Sequence, residues 1–259
     1  MVIQKYRRIV LALLVCSSVL LFSVILSHCF FLLTDEIVIH NSTIVKVERG
    51  SSLSGLVQKL HEKEIVSNPD SLRLILRVMG LEKKIKAGVY QIETDDNLWG
   101  LIERIISGKT KSFSFTIVEG TTFTQILEKL KITKYVNSQA ADTLLSKKFL
   151  KTLGIEKNSP EGFFFPDTYY FEADSRAFTI LEIAKNRMDH ILEREWQKKP
   201  SNLTIKTKYE ALIMASIIEK ETANGDERPA ISGVFNRRLM LGMRLQSDPT
   251  VIYGLGELY

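Results

Sequence analysis

The sequence predicts an α+β protein behind a single N-terminal transmembrane helix, and three observations carry that reading. Residues 9–33 run without a formal charge. Two later stretches repeat a strand–turn–helix pattern. From Lys151 onward long helical spacing dominates, interrupted by one aromatic block. Hydrophobic residues make up 45% of the 259 and charged residues 25%, enough to build a core and too balanced for wholesale disorder.

The N-terminal segment sets the topology. Lys5, Arg7 and Arg8 lie in a short tail, residues 1–8, and Asp35 and Glu36 follow the apolar run. About 20 apolar residues cross a bilayer, and basic residues ahead of a span hold that end in the cytoplasm. A cleaved signal would carry an apolar stretch of about 7–15 residues before small residues. This run instead ends in Cys29-Phe30-Phe31-Leu32-Leu33, and bulky His28 argues against a lipoprotein site at Cys29. The expectation is an uncleaved span over 9–33 in a bacterial inner (cytoplasmic) membrane, with all that follows periplasmic or extracellular. Both cysteines, Cys16 and Cys29, fall inside it. The exported part therefore has no disulfide and no thiol chemistry.

Residues 34–110 form the first module. Val47-Glu48-Arg49-Gly50-Ser51-Ser52 leads from a β-rich stretch into Leu56, Val57 and Leu60, with Ser51 or Ser52 as helix cap. Residues 70–78 read as a second helix, 88–92 as a strand and 97–106 as a further helix. The order strand–helix–helix–strand resembles a LysM-like module, which implies amino-sugar binding; a plain spacer is the competing reading. Residues 111–158 hold the second copy. Val118-Glu119-Gly120-Thr121-Thr122 leads into Ile126, Leu127 and Leu130, capped by Thr121 or Thr122.

Residues 159–259 change character. Six aromatics crowd Phe163-Phe164-Phe165-Pro166-Asp167-Thr168-Tyr169-Tyr170-Phe171, a block suited to core and cleft wall. Helical spacing follows over 174–197, 205–221 and 227–241. The closing stretch, 242–259, reads as loop and short turns.

Several chemistries lack their residues. The 4 histidines stand apart from one another and from any carboxylate at metal spacing, so no metal or cofactor is expected. No nucleophile elbow, P-loop or dinucleotide fingerprint is present. The net charge of +5 is spread over scattered Lys and Arg; it suits an anionic surface and comes with no nucleic-acid motif. Carboxylates, amides and aromatics remain, the groups of carbohydrate chemistry.

The most pointed candidate lies in Ala215-Ser216-Ile217-Ile218-Glu219-Lys220-Glu221-Thr222. At about 100° per residue the two glutamates project about 200° apart. Glu221 shares a side with Met214, Ile217 and Ile218, where a carboxyl can keep a proton at neutral pH and deliver it. Glu219 falls at the edge of the polar side. The bland alternative for Glu221 is an ion pair with Arg228 or Arg237.

This helix, followed by Glu227-Arg228-Pro229, Val234-Phe235-Asn236-Arg237-Arg238-Leu239 and Leu241-Gly242-Met243-Arg244-Leu245-Gln246-Ser247-Asp248-Pro249-Thr250-Val251-Ile252-Tyr253-Gly254, resembles the endolytic murein transglycosylase family. Glu161-Gly162-Phe163-Phe164-Phe165-Pro166-Asp167-Thr168-Tyr169 is similar to another of its signatures. The resemblance implies a largely helical, lytic-transglycosylase-like catalytic region acting on peptidoglycan glycan strands. It implies a cut at the β-1,4 bond between N-acetylmuramic acid and N-acetylglucosamine that leaves a 1,6-anhydro end, beside peptidoglycan synthases as partners. Glu221 would be the catalytic acid and base, since lytic transglycosylases more broadly carry that Glu just before a Ser or Thr, as in Glu221-Thr222 and unlike Glu219-Lys220. By their side-chain chemistry, Gln246 and Asp248 offer an amide and a carboxylate to sugar hydroxyls and N-acetyl groups, with Asn236 and Tyr253 as further candidates; turn formation at Asp248-Pro249 and capping or bridging by Asn236 are the competing readings.

The chain departs from the family pattern after Gly254. A Pro-Tyr-Asn-Thr-Tyr-like segment and a Gly-Leu-Pro-Pro-Gly-like loop are expected there and do not occur, so the expectation is a catalytic region incomplete at its C-terminus. The alternative is an inactive, membrane-anchored peptidoglycan-binding scaffold. A water-using hydrolase would require a second carboxylate, from Asp248 or Asp167.

Overall fold

The structure, a computed structural model, describes residues 11, 13–24, 27, 42–138 and 146–255. The expected tail at 1–8 and the rest of the expected span lie outside the described residues. Residues 13–24 are helical, and their large apolar side chains are exposed. No helix among the described residues is long and apolar enough to cross a membrane. The chain divides into two compact units, 1–111 and 112–259.

The first unit follows local signals closely. Strand β1 (Thr43–Val47) precedes helix α1 (Leu53–Glu62), which Ser52 caps by accepting from the Gly55 amide at 3.1 Å. Helix α2 (Pro69–Val78) starts behind Asn68, whose side chain accepts from the Ser71 amide, with Pro69 in the first turn where no amide donor is required. Strand β2 (Gly88–Ile92) then pairs antiparallel with β1, Thr43 facing Ile92 and Val47 facing Gly88. Helix α3 (Leu98–Ser107) is capped by Asn97 and stops at Gly108, whose φ of +79° is the left-handed conformation a glycine adopts without steric cost. One apolar face of each helix closes on this two-stranded sheet. Leu56, Leu60, Leu76, Tyr90, Leu101 and Ile105 form the centre, each buried side chain contributing about 1.5–3 kcal/mol. The Tyr90 hydroxyl donates to the Lys86 carbonyl at 2.9 Å, so its polar end is satisfied inside the core.

The second unit opens with β3 (Ser112–Thr116) and α4 (Phe123–Ile132). Thr122 and Gln125 form a reciprocal capping box at the start of α4. The short elements β4 (Val136–Asn137) and α5 (Lys147–Thr152) follow. Then come β5 (Thr168–Glu172), β6 (Ser175–Arg176) and the long α6 (Ala177–Gln197). Strand β3 pairs antiparallel with β5, and β4 runs parallel to β6. Alternation decides the aromatic block. Tyr169 and Phe171 point inward with Phe115, while Tyr170 is 71% exposed. Phe123, Leu130, Phe164, Ile180 and Leu181 complete this core. Residues on either side of 158 thus share it.

Three helices end the described chain: α7 (Lys208–Glu221), α8 (Arg228–Met240) and α9 (Asp248–Leu255). The last corrects the expectation of loop and short turns over 242–259. Asp248-Pro249 looks like a turn former, yet an acidic residue and a proline both suit the first turn of a helix. These three helices bury little: Met214 on α7 and Phe235 on α8 are their buried hydrophobic residues.

Candidate active site

Helix α7 carries both candidate glutamates at its C-terminal end. It begins behind a second capping box, Thr207 with Glu210, and packs against α6, α8 and α9. Its cap residue Thr222 turns into extended backbone, which ends the helix directly after Glu221. The Thr222 hydroxyl donates to Glu227 Oε2 at 2.6 Å and accepts from the Asn224 amide at 3.0 Å. Glu227 Oε1 also accepts from Asn224 Nδ2 at 3.4 Å. This network closes the reversal from α7 into α8. A further neighbour is the turn at Gly120 (φ +70°), where a Cβ would lie 3.3 Å from Lys220 Nζ.

The two glutamates have different partners. Glu219 is ion-paired with Arg228 at 2.9 Å. It lines a cavity of about 400 Å³ with Ala215, Ile218 and Pro229 on the α8 side, and Glu221 is not part of that lining. Glu221 Oε1 instead accepts a short hydrogen bond from the Ser247 hydroxyl. Ser247 is only 3% exposed, whereas Glu221 itself is exposed. On the side where periodicity puts it, Met214 is buried and Ile217 and Ile218 are half-buried. Glu221 is thus the last residue of α7, exposed yet tied at Oε1 to a buried hydroxyl.

Ser247 is delivered by the turn between α8 and α9. Arg238 Nη1 donates to the Leu245 carbonyl and, at 3.4 Å, to Gln246 Oε1. Gln246 has a φ of +54°, a left-handed conformation uncommon outside glycine. Beyond the turn, Thr250 returns its amide at 3.1 Å and its hydroxyl at 2.7 Å to the Ser247 carbonyl.

The other expected residues are spread out. Gln246 is exposed beside Ser247, with its side chain toward Arg238. Asp248 is exposed at the first position of α9. Asn236 accepts from the Thr204 amide at 3.3 Å and so bridges α8 to the loop before α7. Tyr253 is 66% exposed. Partial burial pushes its hydroxyl pKa up, with further upward pushes from Glu161 and Tyr209. Tyr209 is the second residue of α7, about 18 Å along the helix from Glu221. Helix α9 packs against α7, and Tyr209 marks the end of α7 opposite Glu221. Near that end Phe163 stacks on Tyr209 at 5.8 Å between ring centres, and Lys157 lies 4.5 Å from the Tyr209 ring. Asp167 pairs with Arg187.

Sequence reasoning missed Ser247 and Glu227. Both stood inside quoted motifs, and a hydroxyl between Gln246 and Asp248 attracts no notice until the turn aims it at Glu221.

The geometry defines an α+β protein with a terminal-helix carboxylate held by a buried hydroxyl. The chain matches the YceG-like family over residues 45–259 and belongs to that family. It is 27% identical over 231 residues to an endolytic murein transglycosylase of Bacillus subtilis (strain 168), covering 82% of this chain and 63% of that protein. A Streptococcus pneumoniae endolytic murein transglycosylase (serotype 2, strain D39) is 27% identical over 202 residues, covering 67% of this chain and 36% of that one. The chain thus spans less than two thirds of the length of these relatives. A crystal structure of a YceG-like protein from Listeria monocytogenes aligns with a TM-score of 0.46 at 26% identity, covering 84% of this chain and 76% of that one.

Proposed function

We propose that the chain is an endolytic peptidoglycan lytic transglycosylase with Glu221 as its acid and base. The observation that carries the reading is Glu221 at the end of α7, bonded to a neutral hydroxyl rather than to a cation. Glu219, by contrast, is occupied by Arg228. Glu221 has no such ion pair among the described residues and is exposed, so a sugar can reach its carboxyl. Membership of the family and the names of its similar relatives point to murein as the substrate.

The chemistry needs one carboxyl used twice. Protonated Glu221 gives its proton to the glycosidic oxygen as the C1–O4 bond breaks, releasing the N-acetylglucosamine side. The carboxylate then removes the proton from the muramic C6 hydroxyl, and that oxygen closes on C1 to form the 1,6-anhydro ring. No water is consumed, and Glu221 ends protonated as it began. The proposal places the enzyme in a bacterial inner (cytoplasmic) membrane on a span at 9–33, with the active region outside. The first unit acts as a LysM-like glycan-binding module, and peptidoglycan synthases supply the nascent strands.

A second reading, a glycan-binding scaffold without activity, is favoured by one observation: Glu221 is exposed on a helix that buries only Met214. Strand-length analysis separates the two. Detergent-solubilised full chain, incubated with uncrosslinked glycan strands, should shorten the mean strand. Unchanged lengths with retained binding would leave the scaffold reading standing.

A further inference from the structure

The activity proposed above rests on a carboxyl at a helix end, where a side chain has several rotamers to choose from. Catalysis needs one of them. Displacement of a reacting group by about 1 Å can cost about a hundredfold in rate, so an exposed Glu221 requires something that fixes it.

We propose that Ser247 is the positioning residue of Glu221, and that Arg238 and the left-handed Gln246 exist to hold Ser247 in place. Ser247 is one of the few buried polar residues in the described chain, and its hydroxyl reaches Glu221 Oε1. That contact leaves Oε2 as the atom for proton exchange with the sugar. A hydroxyl suits the task because it can donate to Oε1 whether or not Oε2 carries a proton. The same rotor therefore holds Glu221 in both of its protonation states.

The turn explains why three neighbouring signature residues do different jobs. Arg238 reaches over from α8 to the Leu245 carbonyl and to the Gln246 side chain. Gln246 takes the positive φ that reverses the chain. Ser247 is thereby aimed inward, and Thr250 fixes its carbonyl from the first turn of α9. Gln246 serves as the hinge of the turn, and the contact to Glu221 comes from the residue beside it.

The test uses the full chain in detergent, with Ser247→Ala, Ser247→Thr, Arg238→Met and the Ser247→Ala/Arg238→Met double variant. In steady-state cutting of glycan strands, Ser247→Ala should lower kcat about tenfold or more and leave KM within about twofold. Ser247→Thr should restore most of the rate. The double variant should be no slower than the worse single one, since both act through one turn. Ser247→Ala cutting at the parent rate, or a loss confined to KM, would overturn the proposal. A second readout stands apart from activity. The Glu221 carboxyl carbon, assigned by its loss in Glu221→Gln, should shift in the NMR spectrum of Ser247→Ala and stay put in Ser247→Thr. No shift in Ser247→Ala means the contact is not made. If the parent cuts nothing, the enzymatic reading fails, and the NMR result still decides whether Ser247 holds Glu221.

Discussion

Glu219 and Glu221 sit two residues apart on one helix and are held by opposite kinds of partner. Arg228 grips the first at 2.9 Å, and the Ser247 hydroxyl bonds the second. The helix makes this separation: two residues turn the side chain by about 200°, toward α8 for Glu219 and toward the turn before α9 for Glu221.

The two neutral variants should therefore behave differently. Glu219→Gln removes an ion pair that is partly open to solvent, worth about 0–1 kcal/mol, and should leave strand cutting within a few-fold of the parent. Glu221→Gln should abolish cutting while the melting temperature stays within a few degrees. Rates and thermal melts on the same two proteins check both statements.

Thr222 is the residue whose hydroxyl closes α7. It is 9% exposed, donates to Glu227 and accepts from the Asn224 amide. Thr222→Val keeps the shape and strands both partners, which should cost about 1–3 kcal/mol. The expected result is a lower urea midpoint, with lost cutting because the end of α7 loosens. An unchanged midpoint would remove Thr222 from the account.

Burial pushes the Tyr169 hydroxyl up to about 12, with the Asp167 carboxylate adding to the push and Arg187 opposing it. The hydroxyl donates to the Phe165 carbonyl at 2.5 Å. A raised folded pKa favours the neutral form in the fold. Its stabilisation is complete below about 10, the ordinary tyrosine value, and is lost as pH rises through about 12. Melting temperature should fall between those two values, and Tyr169→Phe should remove that part of the fall.

Leu130 is wholly buried where α4 meets the aromatic core of the second unit. Leu130→Ala should cost about 2–5 kcal/mol, read as a lower denaturant midpoint with an unchanged slope.

Much of the first unit was legible because its signals are local. Ser52 caps its helix as expected, the helices expected over 70–78 and 97–106 lie within one residue of their expected ends, and the strand at 88–92 was readable to the residue. The second unit was harder. The partner of β3 lies beyond α4 and α5, with Thr116 facing Thr168, and no spacing in the sequence announces a pairing that distant. The helix at Asp248–Leu255 hid behind an Asp-Pro pair that serves turns and helix starts equally. The end of α7 at Glu221 was legible, but the exposure of that residue was not. Periodicity shows which side of a helix is apolar, and only tertiary packing decides whether that side is covered. Ser247 became visible once the backbone at Gln246 turned it inward.

The most direct measurement is the chemistry of the new strand ends. Full chain in detergent and its Glu221→Gln variant would be given uncrosslinked glycan strands, and the products weighed by mass spectrometry. The account predicts 1,6-anhydro-muramic ends from the parent and none from the variant. Reducing ends from the parent, or anhydro ends made equally well by Glu221→Gln, would contradict it.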